Sequence, residues 1–401
     1  MAGRHVEIAG AGFAGLTLGA ALAQRGWSVR IHERSPECRQ FGAGIWFWEN
    51  GLRVLNSIGA IDEALEGAVM TPMWEGFDSE GKSIERFVFG DHRSGGRVYC
   101  IVRQRVYQAI MNAALRAGVE IVTSSKAVGA TPAGELLIEG GKSYKADLVV
   151  GADGVHSKVR DSLDLLQRRW THGDGAIRVN VHRTEEEFRD PYWSRIMEWW
   201  NGPRRMLYTP CSPDEVYLCL TSVTDDKEAL QIPIQKEIWK RSFPVVAHFL
   251  DRIPENARWD RFETIYTKAW SKGRTAILGD AAHAMVPGLG QGCGMAVSNA
   301  VALATTLAEE PTVEQALRAW EQRQRPLVKH TQFWSWTTWP LTRVPAPVAR
   351  TVFNFPVLKD WIHQQRSKTS RHVPHGTEKD PRWQPKSLRQ PSSAQAWGPA
   401  A

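Results

Sequence analysis

The chain has 401 residues, of which 42% are hydrophobic and 23% charged, a composition typical of globular proteins and a length that suits two domains. Its net charge of +7 would suit a nucleic-acid partner or an anionic membrane surface. Residues 365–401, however, contain seven Lys or Arg and two acidic residues, so the rest of the chain is nearly neutral. We therefore expect no nucleic-acid partner and no membrane partner, and we predict a disordered basic tail over 365–401.

The cysteines and the hydropathy pattern indicate the cellular setting. Five cysteines without a C-x-x-C pair predict neither a disulfide framework nor a zinc site, and no other metal-ligand spacing occurs. No apolar run reaches the roughly 18 residues of a membrane span, and the N-terminus lacks the features of a signal peptide. We therefore predict a cytoplasmic protein without a bound metal.

The start of the chain predicts a βαβ unit, with a strand over 5–9, a helix over 16–25 and a strand over 28–33. The turn after the first strand reads Gly10-Ala-Gly12-Phe-Ala-Gly15. Its glycines permit a tight turn, the close approach of a pyrophosphate and close packing of the helix on the strand. Glu33 ends the second strand, where an acidic side chain can bind ribose hydroxyls. Together these features predict a dinucleotide-binding site.

Two later turns also follow buried strands. Asp153 and Gly154 follow a strand over 146–150, and alone they would be compatible with an ordinary turn at the sheet edge. Asp280 follows another strand and could bind a sugar-like hydroxyl. The glycine-rich stretch after it leads into a helix over 295–307, whose N-terminus suits the negative charge of a reduced flavin. Between about 165 and 268, alternating apolar and polar residues predict antiparallel strands.

These three motifs, at these distances, resemble the para-hydroxybenzoate-hydroxylase-like class A flavoprotein aromatic monooxygenases over about residues 4–330. Other stretches are similar to two pyridine-ring oxygenases of that class, 2-methyl-3-hydroxypyridine-5-carboxylic acid oxygenase and 5-pyridoxate oxygenase. Those stretches are Phe41–Ile45, Trp48, Asn50–Leu55, Ser157–Ser162, Arg205–Cys211 and Glu215–Leu218. The resemblance implies non-covalently bound FAD, with NADH or NADPH as a transient co-substrate and O2 as oxidant.

The pattern and the resemblance together predict an α/β fold in which a Rossmann-like FAD-binding domain is interrupted by a mixed or antiparallel β-sheet domain that binds the substrate. The predicted FAD-binding domain spans 1–72, 98–165 and 269–325, and the predicted sheet domain spans 73–97 and 166–268. A helical, aromatic-rich segment interrupted by prolines follows over 326–364, before the tail.

The resemblance implies roles for individual residues. Arg39 and Arg103 would contact the FAD phosphates or ribityl chain, and Pro287 and Gly290 would lie beside the flavin where oxygen reacts. The full predicted FAD-binding set is Gly10, Gly12, Phe13, Ala14, Gly15, Glu33, Arg34, Arg39, Gly44, Ile45, Arg103, Asp153, Asp280, Pro287, Gly290, Gln291 and Gly292.

The resemblance also implies substrate contacts, at Arg178, Arg205, Tyr217, Trp48, Trp74 and Phe262. Trp74 and Phe262 stand where the pyridine oxygenases have tyrosines, which removes two hydroxyl groups from the pocket. Two arginines among aromatic residues suit a carboxylate on a flat ring, because guanidinium binds carboxylate through two hydrogen bonds. Tyr217 or an ordered water is the candidate to accept a substrate proton.

We therefore expect hydroxylation of a small carboxylated hydroxy- or amino-aromatic or pyridine ring through a flavin C4a-hydroperoxide, with or without ring opening. A hydroxybenzoate or aminobenzoate hydroxylase is the alternative substrate class, and a non-oxygenating reductase or a halogenase is the alternative for the same fold. A basic RNA-binding or membrane-peripheral protein is the non-enzymatic alternative. A homodimer is left open.

Overall fold

Residues 4–38, 43–90, 96–190, 193–254 and 257–378 are described by a computed structural model of the chain. The strands are β1 His5–Ala9, β2 Ser28–His32, β3 Gly44–Trp48, β4 Val69–Thr71, β5 Met73–Asp78, β6 Ser83–Val88, β7 Val98–Val102, β8 Glu120–Val122, β9 Ala127–Thr131, β10 Glu135–Ile138, β11 Ser143–Lys145, β12 Leu148–Gly151, β13 Leu166–His182, β14 Ile196–Asn201, β15 Arg204–Pro210, β16 Glu215–Val223, β17 Trp259–Thr267, β18 Ser271–Lys272 and β19 Thr275–Ile277.

The helices alternate with these strands in the first third of the chain and dominate its end. They are α1 Phe13–Ala23, α2 Glu49–Ser57, α3 Ile61–Leu65, α4 Arg103–Arg116, α5 Lys158–Ser162, α6 Glu185–Arg189, α7 Lys236–Ser242, α8 Ala247–Asp251, α9 Asp280–His283, α10 Gly292–Glu309, α11 Val313–Leu341, α12 Ala346–Asn354 and α13 Pro356–Ser367. Within the described residues, no helix has the length and hydropathy needed to cross a membrane.

The first sheet has six strands in the order β18-β19-β12-β1-β2-β8, and β1 pairs in parallel with both β2 and β12. Strand β12 is apolar throughout and fully buried, whereas β1 carries the buried Glu7. Gly10 ends β1 with a φ of +100°, and a side chain there would lie 2.5 Å from the carbonyl oxygen of Ala152. The predicted βαβ unit is present, with α1 beginning three residues earlier than expected.

The second sheet has seven strands in the order β17-β13-β16-β15-β14-β5-β6, antiparallel except for the β14–β5 pair. One face packs on α7 and α8 through an apolar cluster that includes Ile177, Leu218, Trp239 and Phe249. The other face, which carries the alternating polar side chains, is covered by the C-terminal helices. The predicted α/β fold class is therefore confirmed, whereas the domain boundaries stay a prediction.

Helix α11 differs from the prediction that a separate segment begins at Pro326. The helix continues through this proline, which is exposed, while Gln324 and Val328 are buried on either side of it. Packing of the buried face therefore outweighs the loss of one backbone hydrogen bond at the proline.

The prediction of a disordered tail is wrong for residues 365–378. The hydroxyl oxygens of Thr369 and Thr331 lie 2.7 Å apart, and His375 Nε2 lies 2.9 Å from the carboxylate of Glu309. Arg366 Nη1 also donates to Glu85, at 2.9 Å. These contacts tie the segment to the body of the protein despite its polar composition. Residues 379–401 lie outside the described residues.

Candidate active site

The larger of two adjoining cavities, about 510 Å³, lies at the carboxyl edge of the six-stranded sheet. Loops that follow β1, β12 and β19 converge there, which is where ligands bind in open α/β sheets. Most of the predicted FAD-binding residues line this cavity, namely Gly12, Phe13, Ala14, Gly44, Ile45, Arg103, Asp280, Pro287, Gly290 and Gly292. We call it the cofactor cavity.

Helices α1 and α10 both begin at the cofactor cavity, and neither has a side-chain hydrogen bond at its N-cap. Their first N–H groups and dipoles therefore favour an anion. A methyl group added at Gly12 would meet nothing within 4 Å, so the backbone is open there. This cradle fits the pyrophosphate of a dinucleotide.

Asp280 and Arg103 provide opposite charges in the cofactor cavity. Burial raises the pKa of the Asp280 carboxyl, and Arg103 partly opposes that rise. The Arg103 guanidinium also lies 4.8 Å from the ring centroid of Phe13. The Asp280 carboxylate can accept a hydrogen bond from a ribityl hydroxyl, and the Arg103 guanidinium can contact a phosphate. This pair therefore fits FAD.

Other predicted FAD-binding residues do not line the cofactor cavity. Glu33 accepts hydrogen bonds from the backbone N–H groups of Ala11, at 3.0 Å, and Ser35, at 2.9 Å, which places it beside the glycine-rich turn. Asp153 accepts from the N–H groups of Lys158 and Val159, at 2.8 and 3.2 Å, and so binds the first turn of α5, whose N-cap is Ser157.

The other predicted FAD-binding residues that the structure describes also lie outside the lining of the cofactor cavity. Gln291 accepts from the amide of Asn50, at 3.1 Å, and so links α10 to α2. Gly10 and Gly15 shape the first turn, and Arg34 lies outside the cavity lining. Arg39 lies outside the described residues.

The second cavity, about 160 Å³, lies between the seven-stranded sheet and the C-terminal helices, and we call it the aromatic cavity. Its aromatic lining is Trp46, Trp48, Trp74, Phe87, Phe89, Trp200, Tyr217 and Trp339. It shares Trp46, Arg178, Leu207, Tyr217 and Pro287 with the cofactor cavity. A flat ring in the aromatic cavity would therefore lie beside a flavin in the other.

The predicted substrate residues mostly meet in the aromatic cavity. Trp48, Trp74, Arg178, Arg205 and Tyr217 line it. Phe262 lines the cofactor cavity instead, with its ring 5.7 Å from the Arg178 guanidinium.

Tyr217 and Arg178 form the polar part of the wall between the two cavities. Burial, reinforced by Cys219, holds the pKa of Tyr217 well above its usual value although Arg178 opposes the shift. Burial lowers the pKa of Arg178, but Tyr217, Cys219 and Asp260 more than offset this and raise it overall. Tyr217 is therefore a neutral hydrogen-bond donor beside a permanent cation, which argues against the predicted role as proton acceptor.

Arg205 is an ion-paired cation. Its Nη2 donates to the carboxylate of Glu198, and its guanidinium lies 4.1 Å from the ring centroid of Trp339. Both Arg205 and Glu198 are buried and line the aromatic cavity. The charge that was expected to attract a substrate carboxylate is thus already balanced by a protein carboxylate.

Sequence reasoning missed several residues that line the aromatic cavity. Glu198 is the one acidic residue of the apolar strand β14, a signal that would have marked it. Glu85 and Arg366 come together from β6 and α13, which are far apart in the sequence. Nothing local in the chain indicates that they meet.

His283 follows the Gly279-Asp280 turn and has a structural role. Asn299 Nδ2 donates to its Nε2 at 2.9 Å, and its ring packs 5.5 Å from that of Trp270. Burial lowers its pKa to about 4, so the ring is neutral near neutral pH. These contacts indicate a packed histidine rather than a base.

Comparison with known proteins identifies the family of the chain. Residues 4–334 match the family described as FAD binding domain. The chain is 39% identical over 377 residues to a probable 2-heptyl-3-hydroxy-4(1H)-quinolone synthase of Rhodococcus erythropolis, covering 93% of this chain and 98% of that protein. It is 40% identical over 347 residues to a 2-heptyl-3-hydroxy-4(1H)-quinolone synthase of Mycobacteroides abscessus, covering 86% and 92%.

A solved structure of similar identity has the same fold. The tetrameric form of 2-methyl-3-hydroxypyridine-5-carboxylic acid oxygenase superposes with a TM-score of 0.81 at 40% identity, covering 87% of this chain and 96% of that one. A cavity that fits a dinucleotide and opens into an aromatic pocket, together with these relatives, defines a flavin-dependent oxidoreductase. The chain belongs to the FAD-binding-domain family and is an FAD-dependent aromatic monooxygenase. The predicted family and enzyme class are confirmed.

Proposed function

We propose that this enzyme uses NADH or NADPH and O2 to hydroxylate a neutral nitrogen-heteroaromatic ring of the 4-quinolone type that carries an extended substituent chain. The observation that carries this proposal is the Arg205–Glu198 ion pair inside an aromatic cavity. A substrate carboxylate at Arg205 would lie next to the carboxylate of Glu198. Repulsion between like charges is strong where water is excluded, so a neutral ring is favoured.

The relatives support a ring of this kind. Two of them are named for a product that carries a 3-hydroxyl next to a 4-oxo group on a quinolone with a heptyl chain. Removing one oxygen atom from that product gives 2-heptyl-4(1H)-quinolone. The ring is electron-rich because its nitrogen and its 4-oxygen are conjugated, which suits electrophilic oxygen transfer.

The residues of the shared wall would orient such a ring. The 4-oxo group can accept hydrogen bonds from the Tyr217 hydroxyl and the Arg178 guanidinium. Indoles of Trp46 and Trp74 offer flat apolar surfaces that exclude water. Bound FAD would supply the redox chemistry that activates O2. One oxygen atom enters the ring, the other leaves as water, and NAD(P)H provides the two electrons.

Steady-state oxidation of NADH and NADPH, with O2 uptake and product masses, tests this proposal. The panel contains 2-heptyl-4(1H)-quinolone, unsubstituted 4-quinolone, carboxylated hydroxypyridines and hydroxybenzoates. We expect the heptyl quinolone to stimulate oxidation most and to gain the mass of one oxygen atom. Preferred turnover of a carboxylated ring would refute the neutral-ring proposal, and a product mass that also includes water would indicate ring opening.

The oligomeric state and the cytoplasmic location of this protein stay predictions. The related pyridine oxygenase is described as tetrameric, which supports a homo-oligomer for this chain as well. Sedimentation analysis of the FAD-loaded protein would distinguish a dimer from a tetramer.

A further inference from the structure

One transverse row of the seven-stranded sheet runs along the aromatic cavity. Neighbouring strands pair Arg178 with Cys219, Cys219 with Leu207, Leu207 with Glu198, Glu198 with Gly76 and Gly76 with Glu85. Every member of this row except Gly76 lines the aromatic cavity. The row therefore connects the wall next to the cofactor cavity with the far edge of the sheet.

The row crosses six of the seven strands of the sheet. Five strand-to-strand steps separate Arg178 from Glu85, which is about 24 Å between backbones at the usual strand spacing. The glycine in the row leaves space that two indoles occupy, since a methyl group at Gly76 would lie 2.8 Å from the ring of Trp74 and 3.2 Å from that of Trp200. An aromatic surface thus lies between the two polar ends.

The far end holds a buried polar cluster. Glu85 Oε1 accepts from Arg366 Nη1, at 2.9 Å, and lies 3.3 Å from Nε2 of His363. Burial tends to raise the pKa of Glu85, but Arg366 and His363 lower it overall, so the carboxylate is charged. Glu85 Oε2 and Arg366 Nε are both buried, and neither has a hydrogen-bond partner among the residues that the structure describes.

This end of the cavity therefore offers an unpaired acceptor on Glu85 and an unpaired donor on Arg366. Leaving both unpaired costs free energy that a bound ligand can recover. Glu85 Oε2 needs a proton donor, which a carboxylate lacks, and Arg366 Nε needs an acceptor, which an ammonium group lacks. A hydroxyl or a primary carboxamide supplies both.

We propose that Glu85 and Arg366 form a distal subsite that binds a neutral, hydrogen-bonding end of the ring substituent, a terminal hydroxyl or carboxamide. The proposal rests on the proposed function, in which the ring lies at the Arg178 end and its chain extends along the row. Specificity for the chain end is thereby assigned to α13, which lies beyond the residues that match the family.

Isothermal titration of the FAD-loaded enzyme with two ligands tests the subsite. The ligands are 2-heptyl-4(1H)-quinolone and its analogue with a hydroxyl at the end of the chain. We expect the hydroxylated ligand to bind about tenfold more tightly or better, because two hydrogen bonds to charged groups form. Arg366→Met should remove this preference. Equal affinities in the wild type, or a preference that survives in Arg366→Met, would overturn the proposal.

Arg350→Met is the matched control. Arg350 lies on α12, forms an ion pair with Asp78 of β5 and donates to the carbonyl of Ser83 at 3.1 Å, outside the aromatic cavity. It therefore also fastens a C-terminal helix to the sheet edge. We expect the control to keep the preference for the hydroxylated chain, and loss of the preference in both variants would indicate a structural role for Arg366.

A probe without a ring separates this proposal from the proposed function. 1-Nonanol should raise the melting temperature of the wild-type holoenzyme and of Arg350→Met, but not that of Arg366→Met. If neither quinolone binds while 1-nonanol gives this pattern, the quinolone assignment fails and the subsite is supported. If 1-nonanol shifts the wild type and Arg366→Met equally, or shifts neither, the subsite is overturned.

Discussion

A methyl group added at Gly44 would lie 2.7 Å from the Cβ of Tyr217 and 2.3 Å from the Sγ of Cys211. Gly44 begins β3 and lines the cofactor cavity, whereas Tyr217 belongs to the seven-stranded sheet and lines both cavities. The missing side chain therefore lets the backbone of β3 lie directly against Tyr217. This contact between Gly44 and Tyr217 couples the geometry of the two cavities.

Gly44→Ala should consequently destabilise the apoprotein. The added methyl group overlaps atoms of the buried Tyr217 and Cys211, and overpacking of this kind costs about 1–3 kcal/mol. Urea unfolding of apoprotein measures the loss. An unchanged midpoint would mean that Tyr217 and β3 separate easily and that the two cavities are not coupled.

Gly12→Ala should weaken FAD binding and leave the stability of the apoprotein nearly unchanged. The space around Gly12 is open, so the free energy of unfolding of the apoprotein should stay within about 0.5 kcal/mol of the wild type. The methyl group would enter the space that the pyrophosphate needs, so we expect FAD to bind at least about tenfold more weakly. Flavin fluorescence titration gives the dissociation constant, and normal FAD affinity would show that the cofactor avoids this turn.

Asp280→Asn should weaken FAD binding, whereas Asp153→Asn should lower stability. Asp280 lines the cofactor cavity, and Asp153 instead accepts two backbone N–H groups at the start of α5. Weakening these hydrogen bonds costs about 1 kcal/mol. The bound flavin per protein after gel filtration and the unfolding midpoint should therefore separate the two variants. Equal flavin content in both would contradict the assignment of Asp280.

His283 should make the protein sensitive to acid. Its folded pKa of about 4 lies below the unfolded value of 6.5, so the unfolded chain takes up a proton first as the pH falls. This contribution to stability is present above pH 6.5 and is lost progressively towards pH 4, by up to about 3 kcal/mol. Unfolding free energies across that window should fall less steeply in His283→Gln, which keeps an acceptor for Asn299. Parallel curves would assign the acid sensitivity elsewhere.

The parts of this protein that the sequence predicts are those whose signal is local. Gly10 and Gly12 stand in a turn whose backbone requirements are visible within six residues. The sequence therefore predicts this turn together with the strands around it. Asp153 belongs to a motif that predicts cofactor binding, and in the structure its carboxylate also accepts the first N–H groups of the helix that follows. Local sequence does not show this second role, because both kinds of residue follow a strand.

Long-range pairing explains what the sequence could not predict. Glu198 neutralises Arg205 only because β14 and β15 place them on one face of the sheet. Arg366 belongs to a stretch whose composition predicts disorder, yet the carboxylate of Glu85 binds it. In both cases the partner lies on another element, so the sequence shows an arginine and not its charge balance.

Glu198→Gln should change the preferred substrate. Glutamine keeps the size and an acceptor for Arg205 but removes the balancing charge, so the guanidinium can attract a substrate carboxylate. We expect the KM for a carboxylated hydroxypyridine or hydroxybenzoate to fall about tenfold, with little change for a neutral quinolone. Glu75→Gln is the control, because Glu75 is equally buried in this sheet and pairs with Arg86 and Arg195 outside the aromatic cavity. If both variants lose activity together, Glu198 stabilises the sheet and does not select the substrate. If only Glu198→Gln gains carboxylated substrates, the ion pair is what keeps them out of the wild-type enzyme.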